Sequence, residues 1–213
     1  HAEIGGKSPG SMPASSKSLA EEGVVLSPQL LFAAGKSRMD EIEKLLQSGK
    51  YPSRQTAENL ADLSAQVASL RLGVDTIKEL IEAYGYCEIM EQMNLMSEVS
   101  RASCHKFFQK LGNATIRAEE FLDDGDRLSL RLKIKSGRAE FDFSGTSPVR
   151  SDSLNATLAI VTSSVCYSLR VLIGRELPLN EGLLEPVEIL VPEGSLLNPT
   201  FSNNLSDCPG VAG

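Results

Sequence analysis

The first six residues combine side chains suited to metal or proton chemistry with a pair of glycines. His1 and Glu3 stand two positions apart, and in an extended segment residues i and i+2 point to the same face. They can therefore reach a common ion or substrate, or pair a metal ligand with a proton carrier. Gly5 and Gly6 permit a sharp turn, because glycine adopts a positive φ without steric penalty. Taken alone, this spacing is more typical of a surface pair than of a site.

A second group of polar side chains follows one line along a predicted helix. Asn59, Asp62 and Gln66 fall at i, i+3 and i+7, which places them on one helical face. Such a line is either a solvated surface or a binding face, and the spacing leaves both interpretations open. The polar turn 142–146 (Asp-Phe-Ser-Gly-Thr) ends a predicted strand, where it either caps the sheet or lines a pocket.

Several common catalytic motifs are absent from the sequence. It has no Gly-x-x-x-x-Gly-Lys-Ser/Thr phosphate loop, no Gly-x-Ser-x-Gly and no His-Glu-x-x-His. His105 follows Cys104 on a predicted helix, where neighbouring side chains point about 100° apart, so a Cys-His dyad is disfavoured. The four cysteines lack the Cys-x-x-Cys spacing of a zinc site or a redox pair.

Composition limits the kind of partner. The 213 residues are 41% hydrophobic and carry a net charge of -7, values that are ordinary for a soluble globular protein. A nucleic-acid surface needs a basic patch, and no basic cluster occurs. Nor is there an apolar run of the about 18 residues that a membrane helix needs. We therefore expect a cytoplasmic protein that binds a small molecule or another protein, but neither nucleic acid nor membrane.

Hydrophobic periodicity predicts two long helices, over 55–84 and 87–111. Apolar residues recur at steps of three and four along both, and Gly85 between them favours an antiparallel helical hairpin. We expect the methionines of the second helix to fill gaps in the core. Shorter helices are predicted over 37–47 and 155–174.

Alternating apolar residues predict the sheet. The stretches 128–134 and 139–143 alternate with period two on either side of a polar turn at 135–138, as in a β-hairpin. A further strand is predicted over 186–191. The expected fold class is α+β, with the long helical hairpin packed on a mixed or antiparallel sheet.

Blocks spread along nearly the whole chain resemble the HyuB-type domain of the hydantoinase B/oxoprolinase family, which occurs in ATP-dependent 5-oxoprolinases and hydantoinase B subunits. The Asn-Leu-Ala-Asp-Leu-Ser-Ala-Gln-Val-Ala stretch (59–68) is especially characteristic. The other blocks, in family order, are 1–6, 9–13, 21–25, 142–148, Asn155-Ala156, Tyr167, Arg170, 178–182 and 192–199. The sequence departs from the usual pattern at Glu3, where many members have aspartate, at Ala14-Ser15 and at Ser69-Leu70.

The resemblance implies that residues 1–213 are part of a single HyuB-type domain, truncated at both ends. In the family a further region with acidic and histidine positions precedes His1, and more sheet follows Gly213. We therefore expect an internal piece of a longer enzyme that is inactive by itself.

The resemblance also implies a two-part reaction. A HyuA-type domain or subunit binds ATP and phosphorylates the carbonyl oxygen of a cyclic amide, and the HyuB-type part opens the activated ring with water. The expected activity converts 5-oxo-L-proline to L-glutamate, with ADP and phosphate released, as in glutathione metabolism. Two alternatives remain: a hydantoinase B or ketone-carboxylase-type subunit, and an inactive fragment that serves as an interaction module.

Site residues are carried over from the same resemblance. His1 and Glu3 are the expected ligands of a divalent metal, since imidazole and carboxylate groups bind such cations, and the remaining ligands would come from the preceding region. The expected substrate-binding residues are Ser11, Glu22, Asn59, Asp62 and Gln66. A homo-oligomer is also expected.

Overall fold

The computed structural model describes residues 2–10, 13, 15–174, 176–202 and 208–211, and the chain divides into two compact units. The first unit comprises His1–Ile77, Arg150–Asn155 and Pro199–Gly213, and the second comprises Lys78–Val149 and Ala156–Asn198. Each unit thus joins segments that are far apart in the sequence.

Short elements and loops make up most of the first unit. Its elements are α1 (Leu19–Glu22), β1 (Phe32–Ala33), β2 (Lys36–Ser37), α2 (Met39–Leu46) and most of α3 (Thr56–Tyr84). The helix predicted over 37–47 is confirmed as α2, which buries Ile42 and Leu46 on one face. These two side chains are four residues apart, the spacing at which helix side chains stack.

Two long helices are confirmed, α3 and α4 (Tyr86–Leu111), with Gly85 between them at φ 86°. Along α3 only Asn59 is buried, and Leu70 in its apolar stripe is 71% exposed. In the described part of the chain, most of the apolar stripe of α3 is therefore exposed, although the sequence predicts that it packs in a helical hairpin. The core role predicted for the methionines is wrong: Met90, Met93 and Met96 are exposed. No helix among the described residues is long and apolar enough to cross a membrane.

A four-stranded mixed sheet forms the centre of the second unit. Its strands are β3 (Ala114–Phe121), β4 (Arg127–Lys135), β5 (Arg138–Asp142) and β6 (Val187–Leu190), in the order β3-β4-β5-β6. The β3-β4 and β4-β5 pairs are antiparallel and β5-β6 is parallel. The predicted hairpin is confirmed, with Ser136 and Gly137 both at positive φ in its turn. Strand β3 goes beyond the elements expected from the sequence.

The second unit buries an apolar core between this sheet and two helices. From α4 come Cys104 and Phe108, and α5 (Leu158–Ile173) adds Val165 and Leu169. The rest of the core is Ile134, Ala139, Phe141, Leu177 and Leu183. Helices packed on a mixed sheet confirm the α+β class.

The block 178–182 packs against α4. A Cβ on Gly182 would lie 2.2 Å from the carbonyl oxygen of Ser97, so only glycine fits there without displacing the helix. The Asn180 amide donates to the Met96 carbonyl oxygen at 3.1 Å, and the Ser100 hydroxyl donates to that of Pro178 at 3.0 Å. These contacts give the block a packing role.

Candidate functional site

The segment 3–7 runs between two other segments of the first unit. On one side the Gly6 N–H donates to the Tyr51 carbonyl oxygen at 3.2 Å. On the other side the Lys7 N–H donates to the Glu21 carbonyl oxygen at 2.9 Å, and Val24 N–H donates to that of Ile4 at 2.9 Å. The segment 3–7, which contains Glu3 and the glycine pair, is thereby held between residues 51–54 and 21–24.

The glycine pair makes this close approach possible. Gly5 and Gly6 have φ of 98° and 99°, as expected for a turn that requires glycine. A Cβ on Gly5 would lie 2.0 Å from the Tyr51 carbonyl oxygen, and one on Gly6 would lie 2.7 Å from that of Glu22. No other residue type fits at these two positions without moving the neighbouring backbone.

The carboxylate of Glu3 is engaged by Arg54. The Arg54 N–H donates to Oε2 at 2.7 Å, its guanidinium donates to Oε1 at 2.6 Å, and the Gly5 N–H reaches Oε1 at 3.1 Å. The same guanidinium also bonds the Gly6 carbonyl oxygen. Burial raises the pKa of Glu3, but the bonds from Arg54 and Gly5 outweigh burial and bring the pKa below its ordinary value. Glu3 is therefore held ionised and fixed in place.

Asn59 joins the same network through Ser53. The Ser53 hydroxyl lies 2.9 Å from the Glu3 carbonyl oxygen and 2.6 Å from Asn59 Oδ1. Asn59 is only 6% exposed, and its Oδ1 faces the hydroxyl while the structure records no hydrogen bond to its Nδ2 among the described residues. The amide group of Asn59 thus lies beside the Glu3 segment, and the Ser53 hydroxyl contacts both.

The other predicted side chains of the helical line are placed differently. Asp62 and Gln66 are exposed on α3, and no side-chain hydrogen bond among the described residues joins them to Asn59. The helical spacing therefore does not bring the three residues into one network. His1 and Ser11 lie outside the described residues, so their assignments remain predictions.

Glu22 lies on the other side of the glycine pair. Its carboxylate accepts the Val211 N–H at 3.1 and 3.3 Å, and a Cβ on Gly210 would lie 2.4 Å from its Oε1. Burial raises the pKa of Glu22 above its ordinary value, and the bond from Val211 offsets burial only in part. Glu22 thus holds a proton more readily than Glu3 does.

Asn155 fixes the segment that meets Glu22. It is fully buried, and its Oδ1 accepts the Arg150 N–H at 2.8 Å. Its Nδ2 donates to the carbonyl oxygens of Arg150 at 3.1 Å, Asp152 at 2.9 Å and Gly210 at 2.9 Å. The family block at Asn155 therefore positions the backbone that contacts Glu22.

The described residues do not fit a metal by themselves. No group of three or more His, Cys, Asp or Glu side chains among them is arranged to hold a metal ion. The Glu3 carboxylate is bound by a guanidinium, and a cation there would meet an existing positive charge. The metal assignment of His1 and Glu3 stays a prediction, and Arg54 and Ser53, which organise Glu3, were not predicted. In the sequence, the only indication of these two residues is that they form a polar pair just before the start of α3.

A second candidate region lies on the open face of the sheet. A cavity of about 660 Å³ there is lined by charged side chains and serines, among them Arg131 and Asp142. Arg131 pairs with Asp142, and Asp142 Oδ1 accepts the Ser144 N–H at 2.8 Å. The bonds from Ser144 and the charge of Arg131 bring the pKa of Asp142 below its ordinary value. The turn 142–146 thus caps the strand and lines this cavity as well, while its charges are already paired.

Known proteins resemble this chain over nearly all of its length. The sequence model of the Hydantoinase B/oxoprolinase family matches residues 1–208. The chain is 39% identical to 5-oxoprolinase 1 of Arabidopsis thaliana, over 94% of this chain and 18% of that protein. It is 38% identical to 5-oxoprolinase of Saccharomyces cerevisiae, over 93% of this chain and 16% of that protein. The chain therefore spans less than a fifth of these relatives.

A solved structure shares the fold. The ATP-dependent caprolactamase from Pseudomonas jessenii superposes with a TM-score of 0.83 at 23% sequence identity. The superposition covers 98% of this chain and 35% of the caprolactamase chain. At this level of identity the likeness establishes the fold.

Proposed function

Because this chain belongs to the Hydantoinase B/oxoprolinase family, we propose that it is part of an ATP-dependent hydrolase of cyclic amides. The proposed reaction converts 5-oxo-L-proline, ATP and water to L-glutamate, ADP and phosphate. One observation carries the proposal: family blocks 1–6, 21–25 and 59–68 all contribute to one region of the first unit. The relatives named 5-oxoprolinase match more than nine tenths of the chain, which favours this substrate among cyclic amides.

The side chains of this region suit the polar groups of a cyclic amide. A carboxylate accepts a hydrogen bond from a ring N–H, and an amide nitrogen donates to a carbonyl or carboxylate oxygen. We assign the first role to Glu22 and the second to Asn59. Glu3 and Arg54 act as positioning residues, because they engage each other and fix the backbone of 3–6. We keep three further residues as proposed substrate contacts, although the hydrogen bonds described above do not involve them: Ser11, Asp62 and Gln66.

The remaining parts of the reaction are assigned to other regions. We propose that a HyuA-type domain or subunit, and not this chain, binds and hydrolyses ATP. No step of the proposal depends on a metal, because the described donor set does not fit one. A cytoplasmic enzyme of glutathione metabolism is the proposed setting.

The test is an assay on the complete polypeptide that carries this chain. We expect ATP hydrolysis that depends on 5-oxo-L-proline and releases one glutamate per ADP. Hydantoin and caprolactam, supplied in parallel, should support much less turnover. Turnover with hydantoin alone would instead identify a hydantoinase-type subunit, and ATP-independent or absent turnover with every ring would contradict the proposal.

A further inference from the structure

Glu22 differs from the two other acidic residues around the glycine pair in the groups that bind it. The carboxylate of Glu3 is paired with the guanidinium of Arg54 at 2.6 Å, and that of Glu21 is paired with the ammonium group of Lys7 at 2.9 Å. No cation among the described residues contributes to the environment of the Glu22 carboxyl group. The structure therefore holds two of these three groups ionised and leaves the third free to carry a proton.

Backbone groups position the Glu22 carboxyl group from one side. The Val211 N–H lies 3.1 Å from Oε1 and 3.3 Å from Oε2, so one donor serves both oxygens. Glycine at position 210 lets the backbone approach this closely, because a Cβ there would lie 2.4 Å from Oε1. The Asn155 amide in turn donates to the Gly210 carbonyl oxygen at 2.9 Å. Neutral groups thus fix the place of the carboxyl group, and no counterion fixes its charge.

The charged side chains of the adjoining segments are paired with one another. On α1 the Glu21 carboxylate accepts a hydrogen bond from Lys7 Nζ at 2.9 Å. In the neighbouring loop the Arg150 guanidinium donates two hydrogen bonds to Asp152, at 2.9 and 2.6 Å. Neither pair acts on the pKa of Glu22, which burial raises above its ordinary value. A carboxyl group in such surroundings keeps its proton to a higher pH than its paired neighbours do.

Opening a cyclic amide requires a proton at the ring nitrogen. Water adds to the carbonyl carbon and the C–N bond breaks, and the nitrogen leaves as an amine only if it gains a proton. A protonated carboxyl group accepts a hydrogen bond at its C=O oxygen and donates one from its O–H. The group that accepts the ring N–H under the proposed function is therefore in place to give that nitrogen its proton.

We propose that Glu22 is the general acid of ring opening, an assignment that rests on the proposed function. The Glu22 O–H bond breaks, its proton passes to the ring nitrogen, and the electron pair of the breaking C–N bond stays on that nitrogen as the lone pair of the amine. The attacking water gives its oxygen to the carbonyl carbon and a proton to the solvent, from which the Glu22 carboxylate regains one. Nothing is oxidised or reduced. The Val211 N–H stabilises the carboxylate that the step produces, since hydrogen bonds to charged acceptors are the stronger ones.

The first test is the kcat for 5-oxo-L-proline in the complete polypeptide as a function of pH. Glu22→Gln keeps an acceptor oxygen for the Val211 N–H but has no acidic proton, so kcat should fall about a hundredfold or more. The loss of a binding contact alone would instead raise KM and leave kcat unchanged. In the natural sequence kcat should fall as pH rises through the pKa of Glu22, and this dependence should be absent in Glu22→Gln. The control Glu58→Gln, exposed on α3, should keep both kcat and its pH dependence.

Chemical rescue gives a second measurement that a purely structural role would not affect. Acetate or formate added to Glu22→Ala should restore at least about a tenth of the lost kcat, and the pH dependence of the rescued rate should lie lower with formate, the stronger acid. No rescue by either acid would overturn the assignment. A Glu22→Gln kcat within about threefold of the natural value would overturn the assignment and leave the proposed function standing. No turnover of 5-oxo-L-proline by the natural polypeptide would overturn the proposed function and this assignment with it.

Discussion

The two units of this chain differ in the interactions that stabilise each of them internally. The second unit closes around aliphatic and aromatic side chains from two helices and a sheet. In the first unit the candidate site depends on backbone contacts at glycines and on polar networks around Glu3, Glu22 and Asn155. The first unit is therefore sensitive to single polar atoms and to pH, and the second to the volume of its core side chains.

The difference lies in where each unit places its polar groups. An apolar core tolerates no unpaired polar group, since burying one without a partner costs free energy. Under the proposed function, the first unit needs such groups near its surface, fixed by their neighbours. Glu3, bound by Arg54, and Asn155, with both amide atoms bonded, are polar groups fixed in this way.

The largest expected effect is in the second unit. Phe108→Ala removes a fully buried ring from the core, and the lost transfer energy plus the cavity should lower the free energy of unfolding by about 3–5 kcal/mol. Leu95→Ala, on the same helix but exposed, should change it by less than about 0.5 kcal/mol. Urea unfolding followed by circular dichroism measures both. Equal costs would show that α4 does not pack as described.

In the first unit the next largest effect should come from the glycine pair. Gly5→Ala combines a positive φ with a Cβ placed 2.0 Å from the Tyr51 carbonyl oxygen. Gly10→Ala also has a positive φ, but its Cβ meets nothing within 4 Å, so only the backbone cost of about 1–2 kcal/mol applies. We expect Gly5→Ala to lower the free energy of unfolding by at least about 2 kcal/mol more than Gly10→Ala does. Hydrogen exchange of first-unit amides would show the loss, and similar protection in both variants would contradict the predicted close approach.

Removing the charge of Glu3 should have a smaller effect. Glu3→Gln keeps one acceptor oxygen, which can serve either the Gly5 N–H or the Arg54 N–H but not both, and it loses the ion pair with the guanidinium. Hydrogen bonds to charged groups are worth about 1.5–3 kcal/mol, and the side chain is 17% exposed, so we expect about 1 kcal/mol. Glu58→Gln, exposed at the start of α3, is the matched control. An unchanged urea midpoint for Glu3→Gln would contradict the positioning role of Glu3.

The smallest effects concern pH, and the two carboxylates should act in opposite directions. The pKa of Glu3 is lower in the folded chain, so its stabilisation is present above the unfolded pKa and is lost as pH falls through the folded pKa. The pKa of Glu22 is higher in the folded chain, so its contribution favours the folded state at low pH and is lost as pH rises through the folded pKa.

Urea unfolding between pH 3 and 7 can separate the two groups. When the pH is lowered, the free energy of unfolding of Glu3→Gln should fall less than that of the natural sequence. Glu22→Gln should instead flatten the loss of stability on raising the pH above about 4.5, the ordinary glutamate value. Slopes that change in the same direction in both variants would show that one of the two environments is described wrongly.

Local patterns predicted the helices and the β4-β5 hairpin, because periodicity and turn residues act between near neighbours. Strand β3 was missed because its charged residues and full exposure weaken any alternation. The bond between Glu3 and Arg54 spans 51 positions and that between Glu22 and Val211 spans 189, so no local pattern contains them. The line from Asn59 to Gln66 shows the same limit: Asn59 is buried whereas Asp62 and Gln66 are exposed, a difference that helical spacing alone does not show.

Substrate affinity tests the central claim most directly. The measurement is the KM for 5-oxo-L-proline in the complete polypeptide, for the natural sequence, Asn59→Asp, Glu22→Gln and the control Glu58→Gln. Asn59→Asp keeps the acceptor for Ser53 and removes the amide donor, so we expect a KM raised about tenfold or more, equivalent to one lost hydrogen bond to a charged group. Glu22→Gln should raise it as well, and Glu58→Gln should leave it unchanged. An unchanged KM in both Asn59→Asp and Glu22→Gln would contradict the account.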